Sequence, residues 1–216
     1  MTEESGQQPR EVPPPKDPGD LYVLGGMYYQ GITVPVDKEK AAVLYRMSAD
    51  RGNEDAMVRL GIILMTGDGT EQDYLEASVY FRMAADRGNR DGKFFLSHLY
   101  TLGKGVDRNP VEAVRLCMES AADGCTGAMT ELARWYRDGT NYVDKSLAKC
   151  IYWLKKACDE KYPEALYELG AMYAFGEGVT KDAENGRILL EYASAAGDRD
   201  AEECLEALKE GKTQRP

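Results

Sequence analysis

Arg46 to Ala56 reads RMSADRGNEDA, and Arg82 to Gly92 reads RMAADRGNRDG. The two stretches lie 36 residues apart and agree at eight of eleven positions. A phrase written twice at a fixed interval is the mark of a repeat architecture. The interval extends in both directions. A leucine recurs at Leu24, Leu60, Leu96, Leu132 and Leu169, at spacings of 36, 36, 36 and 37. Four residues later come Tyr28, Leu64, Tyr100, Tyr136 and Tyr173, and three beyond those an unbroken glycine column, Gly31, Gly67, Gly103, Gly139 and Gly176. A small residue follows each leucine: Gly25, Gly61, Ser97, Ala133 and Gly170. A late column reads Gly52, Gly88, Gly124, Lys161 and Gly197. The quoted phrase is therefore the junction between structural units.

Each column has a mechanical meaning. Leucine and tyrosine at i and i+4 share one helical face, which must be buried. The small residue after the leucine lets a neighbouring helix approach closely. Glycine three residues past the tyrosine suits the position after a helix, where φ is positive. A short loop leads to a second helix, opened by a capping residue. Asp73 with Glu76 and Asn109 with Glu112 have capping-box spacing, and Asp37 and Asp182 are caps of the same kind. The second helices carry their own apolar stripes, such as Ala77, Tyr80, Phe81 and Ala84. One helix pair cannot bury both stripes alone, and stacked pairs can. The expected fold is all-α, an α-solenoid of about five 36-residue helix–turn–helix repeats. The units fall at about 20–53, 54–89, 90–125, 126–162 and 163–198, with a capping helix at 199–210 completing a repeat domain over 19–210. Residues 1–18, with five prolines, and 211–216 are expected to be disordered.

Composition narrows the function classes. At 216 residues and 43% apolar, the chain can build a sizeable core. The balance of 27 basic against 37 acidic residues, net −10, argues against a general nucleic-acid or anionic-membrane binder. No apolar run approaches the roughly 18–20 residues that span a bilayer. The first residues, MTEESGQQPREVPPPKDPG, lack the basic and apolar regions of a secretory signal, so a cytoplasmic location is the expectation. Five cysteines, Cys117, Cys125, Cys150, Cys158 and Cys204, then read as reduced thiols.

The pattern A-x-x-x-L-G-x-x-Y-x-x-G-x-G-V-x-x-D, seen from Ala165 to Asp182, is similar to the first half of the Sel1-like repeat. The stretch from Ala77 through Ala84, Ala85 and Gly88 resembles its second half. The resemblance covers roughly residues 20–210. The tetratricopeptide repeat is the near relative, with a period nearer 34 residues and no G-x-G-V loop. The resemblance implies a right-handed superhelix, first helices lining its concave side, and roles in complex assembly and signalling. The fourth unit departs from the pattern: it has an extra residue between Gly139 and Asp144, and Lys161 stands where glycine ends the second helix. Lysine at positive φ would be strained, so that helix is expected to end differently before Pro163. Some family members carry one disulfide per repeat. Here Cys158 occupies the first of those places and Leu166 the second, which implies free thiols.

No catalytic constellation emerges. His98 is the single histidine, and no nucleophile elbow accompanies it. Zinc needs about four close ligands, whereas Cys117 and Cys125, like Cys150 and Cys158, are eight apart. The loops GDGTEQD, GKGVDRN and GEGVTKD lack phosphate-loop and calcium-loop spacing and recur once per unit, as turns do. Most tyrosines occupy repeat columns, which favours packing over base stacking. The chain is expected to use no cofactor or metal and to act without catalysis, through surface shape.

Helical phase sorts that surface. Counting the repeat alanine as zero, positions 0, +4 and +8 face the core, while +2, +3, +6 and +9 point broadly away. The candidate protein-binding groove is Tyr22 and Tyr29; Val58, Arg59, Ile62 and Met65; Phe94, Phe95 and His98; Arg134 and Arg137; and Tyr167. Aromatic residues, methionine and arginine are enriched at interfaces. The expected activity is that of a monomeric scaffold or adaptor binding a protein or peptide segment, with Arg134 and Arg137 meeting an acidic part of it. The alternatives are a thiol-dependent assembly factor working through Cys117 or Cys125, and a self-assembling structural protein.

Overall fold

The computed structural model describes residues 15–216. Among them are eleven helices and no strand: α1 (Pro18–Gln30), α2 (Lys38–Ala49), α3 (Glu54–Thr66), α4 (Tyr74–Asp86), α5 (Arg90–Leu102), α6 (Pro110–Ala122), α7 (Thr126–Asp138), α8 (Leu147–Asp159), α9 (Pro163–Phe175), α10 (Ala183–Ala195) and α11 (Arg199–Lys209). The described residues divide into two compact units, the first ending at Met83 and the second beginning at Ala84. Residues 1–14 of the expected proline-rich tail lie outside the described residues. Pro18, read as part of that tail, opens α1, with Asp17 accepting from the N–H groups of Gly19 and Asp20.

The opening phrase is a pair of helix signals placed back to back. Gly52, at φ 94°, follows α2, and Asn53 caps α3 by accepting from the Ala56 N–H at 2.9 Å. Gly88 at φ 92° and Asn89, accepting from Gly92 at 2.9 Å, do the same before α5. The first helices all end at the glycine column, with φ between 67° and 77°. The second helices open at the expected caps. Asp37, Asp73, Asn109 and Asp182 each accept from the N–H three residues on, at 2.9, 2.9, 3.1 and 3.1 Å.

A backbone bond ties each loop to the helix before it. The cap N–H donates to the carbonyl nine residues earlier: Asp37 to Tyr28, Asp73 to Leu64, Asn109 to Tyr100 and Asp182 to Tyr173. In the fourth repeat Ser146 donates to Tyr136, ten residues earlier. The extra residue is absorbed by Asn141 and Tyr142, both left-handed at φ 53° and 61°. Lys161 corrects the expectation for the end of α8. It takes φ 57°, and the turn keeps the hydrogen bonds of its glycine counterparts: Lys161 N–H to Cys158 and Tyr162 N–H to Ala157 match Gly52 to Ala49 and Asn53 to Ser48. The glycines sit near 90°, and lysine moves to the narrower left-handed well that an L-residue can enter.

The small-residue column sets the helix spacing. A Cβ on Gly25 would lie 3.0 Å from the Tyr45 ring, and one on Gly61 2.5 Å from the Phe81 ring. In the first unit these contacts seat Tyr45 and Phe81 in a core with Leu21, Met57, Leu60 and Leu64. The second unit has one core around Cys117, Leu132, Trp135, Leu154 and Met172, and another where α11 joins α9 and α10 through Ala201, Cys204 and Ala207.

Candidate functional site

In the first unit, Tyr22 and Tyr29 on α1 and Arg59 and Ile62 on α3 surround one cleft of about 210 Å³. Val23, Gly26, Gln30, Tyr45 and Ile63 complete its wall. Tyr22 and Tyr45 pack at 5.7 Å between ring centroids, tilted by 51°. Gly26 leaves room above them, with the Tyr45 hydroxyl 3.5 Å from where its Cβ would stand. Tyr29 is fixed at the rim, donating to Asp68 Oδ2 at 2.7 Å, and Lys38 closes that carboxylate at 2.7 and 2.9 Å. The hydrogen bond from the Lys38 ammonium, and then that from Tyr29, hold the Asp68 carboxyl below the usual carboxylate range.

Arg59 carries the charge of the cleft. It is exposed, and its guanidinium is held above its ordinary pKa by a hydrogen bond to the Tyr22 hydroxyl. Among the described residues no carboxylate forms an ion pair with it. A cation among tyrosine hydroxyls and rings can bind an anionic group by charge-assisted hydrogen bonds without first giving up a carboxylate. Met65, on the same helix, is half-buried, with its carbonyl accepting from the Gln72 amide at 2.8 Å.

Not all the residues chosen by helical phase are exposed. Val58 is a correction: it is 7% exposed and belongs to the core of the first unit. Thr130, at the same position of the fourth repeat, is 1% exposed. In the second unit the Phe94 and Phe95 ring centroids lie 5.2 Å apart, tilted by 56°, with Phe94 packed against the core, and His98 is half-buried. In the fifth repeat Tyr167 stays half-buried, while Glu168, Ala171 and Ala174 are buried.

Arg134 and Arg137 find their acid inside the chain. Glu168, 5% exposed, accepts from Arg134 Nε at 3.3 Å and from Arg137 Nη1 at 2.8 Å. Glu131 and Glu164 lie 3.6 and 3.5 Å from Arg134, and Asp138 3.0 Å from Arg137. Residues 211–216, expected to be disordered, also reach this place: Arg215 donates to the Tyr167 hydroxyl at 3.1 Å and to Glu168 at 3.2 Å. Helical phase does not reveal Glu168 and Arg215, because their partners are 31 to 48 residues away.

The thiols are poorly placed for chemistry. All five cysteines are free. Burial pushes Cys150 up to about 11 and Cys158 up to about 12, and raises Cys117, Cys125 and Cys204 as well. The thiolate is the nucleophile, so burial suppresses it at neutral pH. Among the described residues no group of three metal-binding side chains occurs, and no helix is long and apolar enough to cross a membrane.

The Sel1 repeat matches this chain five times, at residues 20–53, 54–89, 91–125, 126–162 and 163–198. The fold is similar to that of a Sel1 repeat protein from Oxalobacter formigenes, with a TM-score of 0.80 and 25% identity, covering 91% of this chain and 80% of that one. It is also similar to a protective antigen of uropathogenic Escherichia coli strains displaying an SLR fold, with a TM-score of 0.71 and 30% identity over 90% of this chain and 42% of that one. Chitin synthase regulatory factor 2 of Schizosaccharomyces pombe is 28% identical over 160 residues, 72% of this chain and 24% of that protein. The chain spans less than half the length of the curated relatives it matches. Proteins built from this repeat generally mediate protein–protein interaction.

Proposed function

Because the chain belongs to the Sel1 repeat family, we propose that it is a non-enzymatic adaptor whose first-helix face holds a segment of a protein partner. The anchor in the first unit is the cleft of Tyr22, Tyr29, Arg59 and Ile62. The observation that carries this reading is Arg59: an exposed guanidinium, walled by tyrosines, with no carboxylate paired to it among the described residues. The acidic part of the partner meets Arg59. Arg134 and Arg137 are withdrawn from that role, since Glu168, Glu164, Glu131 and Asp138 meet their charge.

The test is affinity capture with three baits: the wild type, Arg59→Glu, and Val79→Asp. Val79 is 49% exposed on a second helix. Circular dichroism first establishes that the variants stay helical. The expected result is a partner retained by the wild type and Val79→Asp, lost by Arg59→Glu, and released by moderate salt, since surface charge is screened over about 8–10 Å at physiological ionic strength. Equal retention by all three baits overturns the cleft. The proposal includes a monomer in the cytoplasm, checked by sedimentation and by cell fractionation.

A further inference from the structure

Arg215 stands out from its surroundings. Residues 211–214 are exposed, whereas the Arg215 side chain is only 20% exposed. Its guanidinium lies over the Tyr167 ring, 4.5 Å from the centroid. Nε donates to the Tyr167 hydroxyl at 3.1 Å, and Nη1 and Nη2 both donate to Glu168 Oε2 at 3.2 Å. Glu177 Oε2 lies 3.6 Å from Nη1. An aromatic face, a fork of two donors on a buried carboxylate and a second carboxylate at the rim make a set that fits a planar guanidinium better than a compact ammonium.

The site is built by the repeats and only occupied by the segment after α11. Tyr167 and Glu168 are on α9, and Glu177 is in the loop that follows it. Arg137 and Arg134 already pair Glu168, so the buried carboxylate keeps partners when Arg215 leaves. Five carboxylates, Glu131, Asp138, Glu164, Glu168 and Glu177, would then face two guanidinium groups, which favours the return of a cation.

We propose that Tyr167, Glu168 and Glu177 form an arginine-recognition site, filled within the chain by Arg215 and taken by an exposed arginine of a protein partner when the 211–216 segment lifts away. The site is separate from the Arg59 cleft and takes the opposite charge. A tethered ligand competes at an effective concentration in the millimolar range, so the resting chain masks the site from weak ligands.

The experiment uses the segment's own sequence as probe. An amidated peptide GKTQRP is titrated at millimolar concentration into the isotope-labelled full chain, either wild type or Arg215→Ala, and followed by NMR. Arg215→Ala should bind the peptide at least about tenfold more tightly than the wild type, with shifts centred on Tyr167 and Glu177. The same peptide carrying lysine at the arginine position should bind about tenfold more weakly. Adding Tyr167→Leu to Arg215→Ala should weaken binding while the rest of the spectrum keeps its dispersion. Equal affinity of the two chains, no binding to Arg215→Ala, or indifference between arginine and lysine overturns the proposal. A wild-type dimer in sedimentation that Arg215→Ala abolishes would overturn it too, by assigning the segment to a second copy.

Discussion

Adding a single methyl group at Gly186 tests how closely the last two repeat helices pack. Gly186 is on α10, and a Cβ there would fall 2.4 Å from the Ala174 backbone nitrogen and 2.6 Å from its Cα, on α9. The obstacle is main chain, so no rotamer change relieves it. Ordinary contact begins about 1 Å further out, and that is the distance α10 must move. Overpacking a well-fitted core costs about 1–3 kcal/mol, and a rigid backbone obstacle puts this site at the upper end. Replacing glycine by alanine in a helix returns about 1 kcal/mol. The net expectation for Gly186→Ala is a loss of about 2 kcal/mol, or roughly 4–8 °C in Tm for a chain of this size. Gly26→Ala is the control. Its Cβ meets nothing closer than the Tyr45 hydroxyl at 3.5 Å, so the propensity gain stands alone and stability should rise by about 0.5–1 kcal/mol. Urea titration by circular dichroism reads both, with midpoints compared directly because repeat chains can depart from two-state unfolding. Gly186→Ala unfolding at or above the wild-type midpoint would refute the packing argument.

Two other substitutions bear on the fold. Lys161→Gly should raise stability by about 0.5–1 kcal/mol, since relief of the left-handed lysine outweighs the extra freedom of glycine in the unfolded chain; an unchanged or lower urea midpoint contradicts that. Cys150→Ala should blunt the alkaline loss of stability. The folded thiol, 1% exposed and pushed up to about 11, keeps its proton where the unfolded one loses it near 9, so its stabilisation is complete below about pH 9 and lost as pH rises to about 11. At pH 10 the wild type should have lost about 1 kcal/mol more than the variant, relative to pH 7; equal losses would assign the alkaline sensitivity elsewhere.

The repeat was legible because its signals are local. Gly31 and its counterparts, the caps Asp37, Asp73, Asn109 and Asp182, and the Leu–Tyr face all act within about ten residues. The features that escaped depend on partners a repeat away. Val58 and Arg59 are adjacent and both fall on the outward arc by phase, yet Val58 is buried and Arg59 is exposed. Helical phase describes one cylinder and carries no record of its neighbours. Glu168 reads as one more surface carboxylate until Arg134, Arg137 and Arg215 converge on it. Lys161 shows the reverse error: a residue-type penalty of about 1–2 kcal/mol is outvoted by the packing of α8 and α9, which the turn must join.

Docking of a partner on the first-helix face at the Arg59 cleft is the proposal on which the rest depends. A photo-activated benzophenone amino acid placed at Ile62, and separately at Val79, tests it most directly in cells expressing the full chain. The expected result is a discrete crosslinked partner from position 62, absent from position 79 and abolished when Arg59→Glu is added. A partner crosslinked from position 79 and not from position 62 would contradict it and place the binding surface on the second helices.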